Sequence, residues 1–207
     1  MQKLDLTKQY KNYYTAKSVP EVVDIQRVHY LSICGKGDPS GELFSHKLQA
    51  LYSLAYTIKF SCKAAGNDFT VAKLEALWWF DENLHAGLSI TNAPGKVPRN
   101  EWEYRLLIRL PDFVLEKEVE QAKKIVSGKK KIDYINDVVF FEMTEGKCVQ
   151  MLHVGPFDKE PETLLEMQGF MSANNFHRNG KHHEIYLSDF RKTKPEKLRT
   201  ILREPVK

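Results

Sequence analysis

The sequence has few cysteines and no long apolar run, and these two features argue against a disulfide-stabilised protein and a membrane-spanning protein. Its 207 residues include three cysteines, Cys34, Cys62 and Cys148, which lie far apart and form no Cys-x-x-Cys pair. Neither a disulfide framework nor a zinc site is therefore predicted. No stretch reaches the roughly 18 apolar residues that a membrane-spanning helix needs, and the N-terminus lacks the apolar core of a signal peptide. These absences predict a cytoplasmic protein without a membrane partner.

The common catalytic and cofactor motifs are also missing. The chain contains no Gly-x-Ser-x-Gly, no Walker loop, no Gly-x-Gly-x-x-Gly and no His-Glu-x-x-His. His182, His183 and Glu184 are consecutive, but neighbouring side chains of a strand point to opposite faces and cannot easily hold one ion. We therefore expect neither a metal nor a cofactor.

The composition that remains is that of a globular domain. Hydrophobic residues make up 42% of the chain and charged residues 28%, which is enough apolar material for a core. The net charge of +4 is spread along the chain. Its densest basic run, residues 129–131, follows Gly128 and is typical of a solvated loop. We do not expect a nucleic-acid partner, although an adaptor that uses the basic surface to bind protein or nucleic acid stays open.

One order of elements occurs twice along the chain. Alternating apolar residues predict strands, and apolar residues at three- and four-residue steps, as from Phe44 to Cys62, predict helices. Each half reads as strand, helix, strand, strand. The predicted strands are 28–34, 69–80, 101–110, 137–145, 147–154, 182–188 and 197–206, and the predicted helices are 44–62, 113–127 and 160–175.

Three identities at one spacing favour a duplication. They fall at the same strand-to-helix junction of both halves, 120 positions apart, and are Gly35 with Gly155, Asp38 with Asp158, and Glu42 with Glu162. We predict an α+β fold in which tandem β-α-β-β repeats form one curved antiparallel sheet, with helices on one face and a ligand groove on the other at the pseudo-twofold axis. The predicted parts of this single domain are a lead-in at 1–27, a first repeat with a connecting helix at 28–128, and a second repeat at 129–207.

Glu184 is the main candidate for a functional residue because it is an acid in the middle of a predicted strand. Alternation groups it with His182 and Tyr186, and it predicts that His183 and Ile185 pack under the helix. Glu75 has a comparable place in the first half. The groove would then hold two carboxylates among aromatic side chains, for which the candidates are Trp79, Trp102, Tyr104, Tyr186 and Tyr52.

Such a groove has a definite chemical preference. Aromatic rings and a carboxylate attract flat, apolar or cationic molecules, with about 0.5–2 kcal/mol from each cation–π contact. A carboxyl group in an apolar wall has a raised pKa and can act as a general acid. The simpler alternatives are that Glu75 and Glu184 are solvated acids paired across strands, and that the tryptophans are core residues.

The closing run HHEIYLSDFRKTKPEKLRTILREPV, with VQMLHVGPFDKEPETL before it, resembles GyrI-like small-molecule-binding proteins. These are related to the effector-binding domains of multidrug-responsive regulators. The opening KLDLTKQYKNYYTAKSVPEVVDI and the segment WEYRLLIRLP resemble a stand-alone bacterial branch of that family. The 27 residues before the first strand are too few for a helix-turn-helix, so direct transcriptional control is not expected.

The resemblance implies a lipophilic or cationic ligand with Glu184 as its charge partner. For some stand-alone members it implies instead hydrolysis of strained, cyclopropane-bearing electrophiles. Our leading hypothesis is therefore a binding protein, and the first alternative is a hydrolase in which Glu184 and Glu75 do the chemistry. The loop 81–100 is predicted to fold over the groove as a lid because it is long and contains glycine and proline. The natural ligand and the oligomeric state stay open.

Overall fold

The fold is built on one eight-stranded antiparallel sheet. The computed structural model describes residues 3–129 and 131–207, so Lys130 of the basic run lies outside the described residues, as do Met1 and Gln2 of the lead-in. The order across the sheet is β1-β6-β8-β7-β3-β4-β2-β5. The strands are β1 Glu21–Ile25, β2 Val28–Lys36, β3 Leu74–Trp79, β4 Glu103–Arg109, β5 Val139–Met143, β6 Gly146–Val154, β7 His182–Tyr186 and β8 Arg199–Pro205.

Two helices cover one face of this sheet. They are α3 (Glu42–Ala64) and α5 (Glu160–Ala173), and α4 (Glu116–Lys129) packs against α3. Leu51, Leu54 and Ile58 form the buried stripe of α3. Their spacing of three and four residues keeps one side of the helix on the core, as predicted.

The duplication is confirmed, but its spacing is not the predicted one. The starts of β2 and β6, the starts of α3 and α5, and the glycines Gly37 and Gly155 are each 118 positions apart. Gly37 (φ 121°) and Gly155 (φ 145°) both have a positive φ, which glycine adopts at little steric cost. Gly37 is therefore the structural equivalent of Gly155. The three identities that are spaced by 120 positions do not join equivalent residues, because they are two residues out of register.

The two halves meet at β3 and β7 in the centre of the sheet, and each lends an edge strand to the other. β1 precedes the first repeat but pairs with β6, while β5 precedes the second repeat and pairs with β2. This exchange of edge strands ties the halves together. The predicted α+β class, antiparallel sheet and tandem repeats are confirmed.

The lead-in contains structure that the sequence patterns missed. It forms β1 and two short helices, α1 (Leu6–Gln9) and α2 (Lys11–Tyr14), which lie on the sheet face opposite α3 and α5. Tyr13 and Tyr14 of α2 are buried there. Both faces of the central strands are therefore covered. We call them the helical face, under α3 and α5, and the N-terminal face, under α1 and α2.

Candidate functional site

The two acids that the sequence placed together lie on opposite faces of the sheet. Paired residues of antiparallel strands point to the same side. Glu184 pairs with Ala76, while Glu75 pairs with Ile185, the neighbour of Glu184. Glu75 belongs to the N-terminal face. Glu184 belongs to the helical face, so the prediction that it lines a groove on the face opposite the helices is wrong. The prediction that both carboxylates share one groove is wrong, because one residue of register in a strand reverses the side chain's direction.

Glu184 lies beneath aromatic rings on the helical face. Its side chain is 12% exposed. The hydroxyl of Tyr186 donates to Oε2 of Glu184 at 2.5 Å and accepts from Nε1 of Trp78 at 3.0 Å. The ring of Tyr186 contacts Phe157 and Phe190 edge-on, with centroids 5.9 and 6.4 Å away. Glu184 is therefore a sheltered carboxylate and does not face bulk water.

A chain of ion pairs leads from Glu184 to the surface. Nε2 of His182 lies 3.3 Å from Oε1 of Glu184, and Nδ1 of His182 lies 2.6 Å from Oε1 of Glu204. Arg178 donates to the other oxygen of Glu204 at 3.0 Å. Burial acts to lower the pKa of His182, but the two carboxylates outweigh it and raise the pKa to about 10. His182 is thus a buried imidazolium that fixes the position of Glu184.

A second acid on the helical face is Glu160, in the first turn of α5. Burial raises the pKa of its carboxyl well above the usual range, and the charge of Glu184 raises it further. Its Oε1 has no hydrogen-bond partner among the described residues. The sequence reasoning missed Glu160 because acids are common in the first turn of any helix, where they complement the helix dipole. A buried carboxyl group with a raised pKa therefore lies near Glu184.

An open groove of about 620 Å³ lies beside this cluster, between α3 and the loop after β7. We call it the aromatic groove; its lining includes Phe44, Leu48, Tyr52, Tyr56, Phe190 and Arg191. Phe44 stacks on Trp78 at 6.3 Å, and Phe190 contacts Tyr186. Glu184 is not part of the lining and lies behind Tyr186. The rings of Tyr186 and Trp78 thus connect the groove to the carboxylates.

The predicted aromatic residues divide between the two faces. Tyr186 contacts Glu184, and Tyr52 lines the aromatic groove. Tyr104 is fully buried under Phe44 and Trp78, so its ring fills the core and does not reach the groove. Its ring occupies the space that a side chain at position 35 would need, which requires glycine there.

Two tryptophans lie away from Glu184. Trp79 belongs to the N-terminal face, where Nζ of Lys181 lies 3.1 Å above its ring, so its predicted place beside Glu184 is wrong. Trp102 packs against Phe80 and the edge of Trp78. Phe80 forms a small cluster with Ala93 and Val97, which anchors the loop 81–100. Closure of this loop over a ligand stays a prediction.

Glu75 is part of a buried network on the N-terminal face. Its oxygens accept from Tyr13 at 2.5 Å and Tyr14 at 3.3 Å, and His183 lies 3.0 Å away. The prediction that His183 and Ile185 pack under the helix is wrong; both lie on this face. Because α2 covers Glu75 completely, a ligand in the aromatic groove cannot reach it.

The charges of this network balance. His183 bridges Glu75 and Glu145, and Glu145 also pairs with Arg203 at 3.3 Å. Burial acts to lower the pKa of His183, but its two carboxylate partners raise the pKa to about 9. Burial acts to raise the pKa of Glu145, but His183 and Arg203 lower the pKa to about 2. Each of these four side chains has a partner of opposite type, so removal of one would leave another buried without its partner, which is strongly destabilising.

Neither metal-binding nor membrane-spanning features are evident in the part of the chain that the structure describes. Within residues 3–129 and 131–207, no three acidic, histidine or cysteine side chains cluster as metal ligands would. Over the same ranges, no helix combines the length and hydrophobicity that crossing a bilayer requires.

Comparison with known proteins agrees with this geometry. Residues 112–207 match the family model of the GyrI-like small molecule binding domain. A conserved protein from Listeria innocua is 39% identical to this chain and superimposes with a TM-score of 0.88. The alignment covers 99% of this chain and 100% of the Listeria innocua protein. A protein described as a hydrolase from Listeria innocua is also 39% identical, with coverage of 99% and 100% and a TM-score of 0.85.

A more distant structure shares the fold alone. The EcmrR C-terminal domain is 10% identical, covers 91% of this chain and 96% of its own, and has a TM-score of 0.57. Among curated proteins, none matches the chain. The expectation that nucleic acid is not a partner stays a prediction.

The paired repeats and the family match define the class of this fold, which contains a small molecule binding domain over residues 112–207. The chain belongs to the GyrI-like family.

Proposed function

We propose that the protein binds hydrophobic, aromatic or cationic small molecules in the aromatic groove, with Glu184 as a negative charge behind the ring of Tyr186. The observation that carries this proposal is the Glu184 carboxylate, which is only 12% exposed and lies under aromatic rings. Such a carboxylate attracts a flat cation by charge, and each ring adds about 0.5–2 kcal/mol of cation–π attraction. The match to a small-molecule-binding domain supports the same function.

The size and charge of the aromatic groove suit such a ligand. Its volume of about 620 Å³ lies inside the range of about 300–1,000 Å³ that is usual for ligand pockets. Arg191 lines it, but its guanidinium pairs with Asp189 at 3.1 Å. Tyr56 and Phe190 remain exposed on the groove walls. The lining therefore offers aromatic surface without an unpaired cation to repel the ligand.

Titration with a fluorescent lipophilic cation such as ethidium tests the binding function. We expect Glu184→Gln to lower the affinity by about tenfold or more, which corresponds to a loss of about 1.4 kcal/mol. The amide oxygen still accepts from Tyr186, but His182 loses one of its two carboxylate partners, so we expect a lower thermal midpoint and affinity is measured well below it. The control is Glu162→Gln, which neutralises an exposed acid of the same helix as Glu160. Equal affinity in Glu184→Gln and the unmodified protein contradicts the proposal.

A second candidate function is the hydrolysis of strained, cyclopropane-bearing electrophiles. The proximity of Glu184 to Glu160, whose pKa burial raises, favours it, and so does the likeness to hydrolases from Listeria innocua. Glu160 would protonate the carbonyl conjugated to the ring. Water would attack the ring carbon while the strained C–C bond breaks, and Glu184 would take the proton from water. A general acid or base of this kind typically accelerates a reaction by about 100-fold to 10,000-fold.

Absorbance during incubation with a cyclopropane-bearing dienone separates the two functions. A hydrolase consumes many equivalents of the compound, and Glu160→Gln should lower kcat by about 100-fold while ethidium still binds. An unchanged spectrum at stoichiometric protein eliminates the hydrolase and leaves the binding function intact.

A further inference from the structure

A second and larger groove lies on the N-terminal face, on the opposite side of the sheet from Glu184. It runs between α1–α2 and β1 and has a volume of about 1110 Å³. We call it the N-terminal groove. Arg109 of β4 contributes to its lining, and Lys8 and Lys11 are exposed on its rim. This space can hold a small organic molecule.

Arg109 is a buried cation without an acidic partner. It is 5% exposed, and its guanidinium lies 3.7 Å from the centroid of the Tyr10 ring and 4.7 Å from that of Tyr13. Across the residues that the structure describes, it forms no salt bridge, and its buried Nε has no hydrogen-bond partner. Ring faces attract the charge but accept no in-plane hydrogen bond, so the buried Nε–H of Arg109 remains unused.

The acids around the N-terminal groove are already engaged. Glu21 pairs with Lys17 at 3.3 Å, and Asp24 accepts from Gln26. Asp112 is exposed and accepts from the hydroxyl of Tyr10 at 2.8 Å. Among the described residues, none of these three carboxylates forms a salt bridge with Arg109.

The buried network on the same face does not compensate Arg109 either. Glu75 and Glu145 are matched by His183 and Arg203, so the charge of Arg109 is in excess. A buried charge is costly unless it is paired and hydrogen-bonded. The fold therefore retains an unpaired guanidinium in the lining of an open groove.

We propose that the N-terminal groove binds a small anion through Arg109. The fork of N–H groups on a guanidinium matches the two oxygens of a carboxylate or phosphate, which makes these groups the expected ligand chemistry. Lys8 and Lys11 add positive charge at the rim, where they attract an anion from solution. This site is separate from the aromatic groove and binds a ligand of opposite charge.

Isothermal titration calorimetry of the full chain with inorganic phosphate and with succinate tests the proposal, at an ionic strength held constant with sodium chloride. We expect saturable binding of at least one of the two anions and a rise in the thermal midpoint. Arg109→Lys should weaken the binding by about tenfold, because an ammonium group cannot form the bidentate contact. Preference for phosphate or for succinate identifies which oxyanion the groove takes.

Two further variants keep the test decisive if substitution of Arg109 impairs folding. Lys8→Ala with Lys11→Ala changes only exposed side chains and should weaken binding of the same anion. Arg105→Met is the matched control, since Arg105 lies on the same face of β4 but donates to Ser32 and covers Phe141. Binding should survive in Arg105→Met. No saturable binding of either anion, or equal affinity in Arg109→Lys, overturns the proposal.

Discussion

At the scale of single residues, the environment of each carboxyl group decides its role. Glu184 accepts a hydrogen bond from Tyr186 and lies beside the imidazolium of His182. Glu160 is buried without a partner for Oε1 among the described residues, and burial holds its pKa well above the usual range. Two acids of the same type thus lie in different environments, which a binding or catalytic site can use.

The raised pKa of Glu160 predicts a stability effect with a definite sign. A carboxyl group whose pKa is raised in the folded state destabilises the fold at pH values above its unfolded pKa. The reason is that the unfolded chain releases the proton there more readily than the folded chain does. Glu160→Gln should therefore have a higher thermal midpoint than the unmodified protein at pH 7. Each kcal/mol gained corresponds to about 2–4 °C for a chain of this size.

Thermal unfolding at pH 7 and at pH 4 checks this sign. The advantage of Glu160→Gln should shrink as the pH falls below 4.5, where the unfolded carboxyl is also protonated. Glu162→Gln, on the exposed side of α5, should show no such dependence. A lower midpoint in Glu160→Gln at pH 7 shows that the carboxyl group is instead stabilising.

At the scale of elements, α1 and α2 depend on tertiary contacts. Each has four residues, far below the length of about 12–15 residues at which an isolated helix becomes even marginally stable. Tyr13 donates to Glu75 and also lies 2.7 Å from the hydroxyl of Tyr30. Arg203 donates to the carbonyl of Tyr13 at 2.9 Å. The buried polar network, not helix propensity, therefore holds the lead-in on the sheet.

Removal of one hydroxyl should loosen this segment. Tyr13→Phe leaves Glu75 and Tyr30 short of a buried partner, which costs about 1–3 kcal/mol. We expect a lower thermal midpoint and faster tryptic cleavage after the exposed Lys11 and Lys17. The control is Tyr56→Phe on α3, whose side chain is exposed. Identical cleavage rates in Tyr13→Phe and the unmodified protein contradict this role of the network.

At the scale of the whole molecule, the centre of the sheet is charged on both faces. β7 carries His182 towards the helical face and His183 towards the N-terminal face. Both are fully or almost fully buried, and their carboxylate partners raise the pKa of His182 to about 10 and that of His183 to about 9. The contact between the two halves thus includes two buried imidazolium groups.

These two histidines predict a loss of stability in weak alkali. A histidine whose pKa is raised in the folded state stabilises the fold fully at pH values below its unfolded pKa of about 6.5. This stability is lost as the pH rises towards the pKa of the folded state. The free energy of unfolding should therefore fall from pH 6.5 towards pH 9, and above about pH 8.5 the thiol of Cys148, whose pKa burial raises in the fold, adds to the loss. Urea unfolding at pH 6.5, 8 and 9 measures it.

The variant His177→Gln serves as the control for this whole-molecule effect, because His177 is exposed. Its alkaline loss should equal that of the unmodified protein. A free energy of unfolding that stays constant from pH 6.5 to 9 shows that the buried histidines are neutral in the fold.

Periodicity recovered most of the architecture because it reports which residues are apolar on one side of an element. The strand pattern in residues 28–34 and the apolar steps from Phe44 to Cys62 correspond to β2 and α3. The helices of the lead-in were not predicted, because they are too short to show a helical period and because their buried residues include tyrosines. Glu160 was not predicted as a site residue, because its raised pKa results from burial by tertiary packing.

The sequence by itself determined the α+β class, the two repeats, the family resemblance and the grouping of Glu184 with Tyr186. Only the tertiary structure decided which face of the sheet Glu184 occupies, that Glu75 lies on the other, and that Glu160 and Arg109 are buried titratable groups. The physical reason is that alternation along a strand states which side chains share a face but not what covers that face. Here helices cover one face and the lead-in covers the other, so both faces of β7 are buried although each carries a histidine.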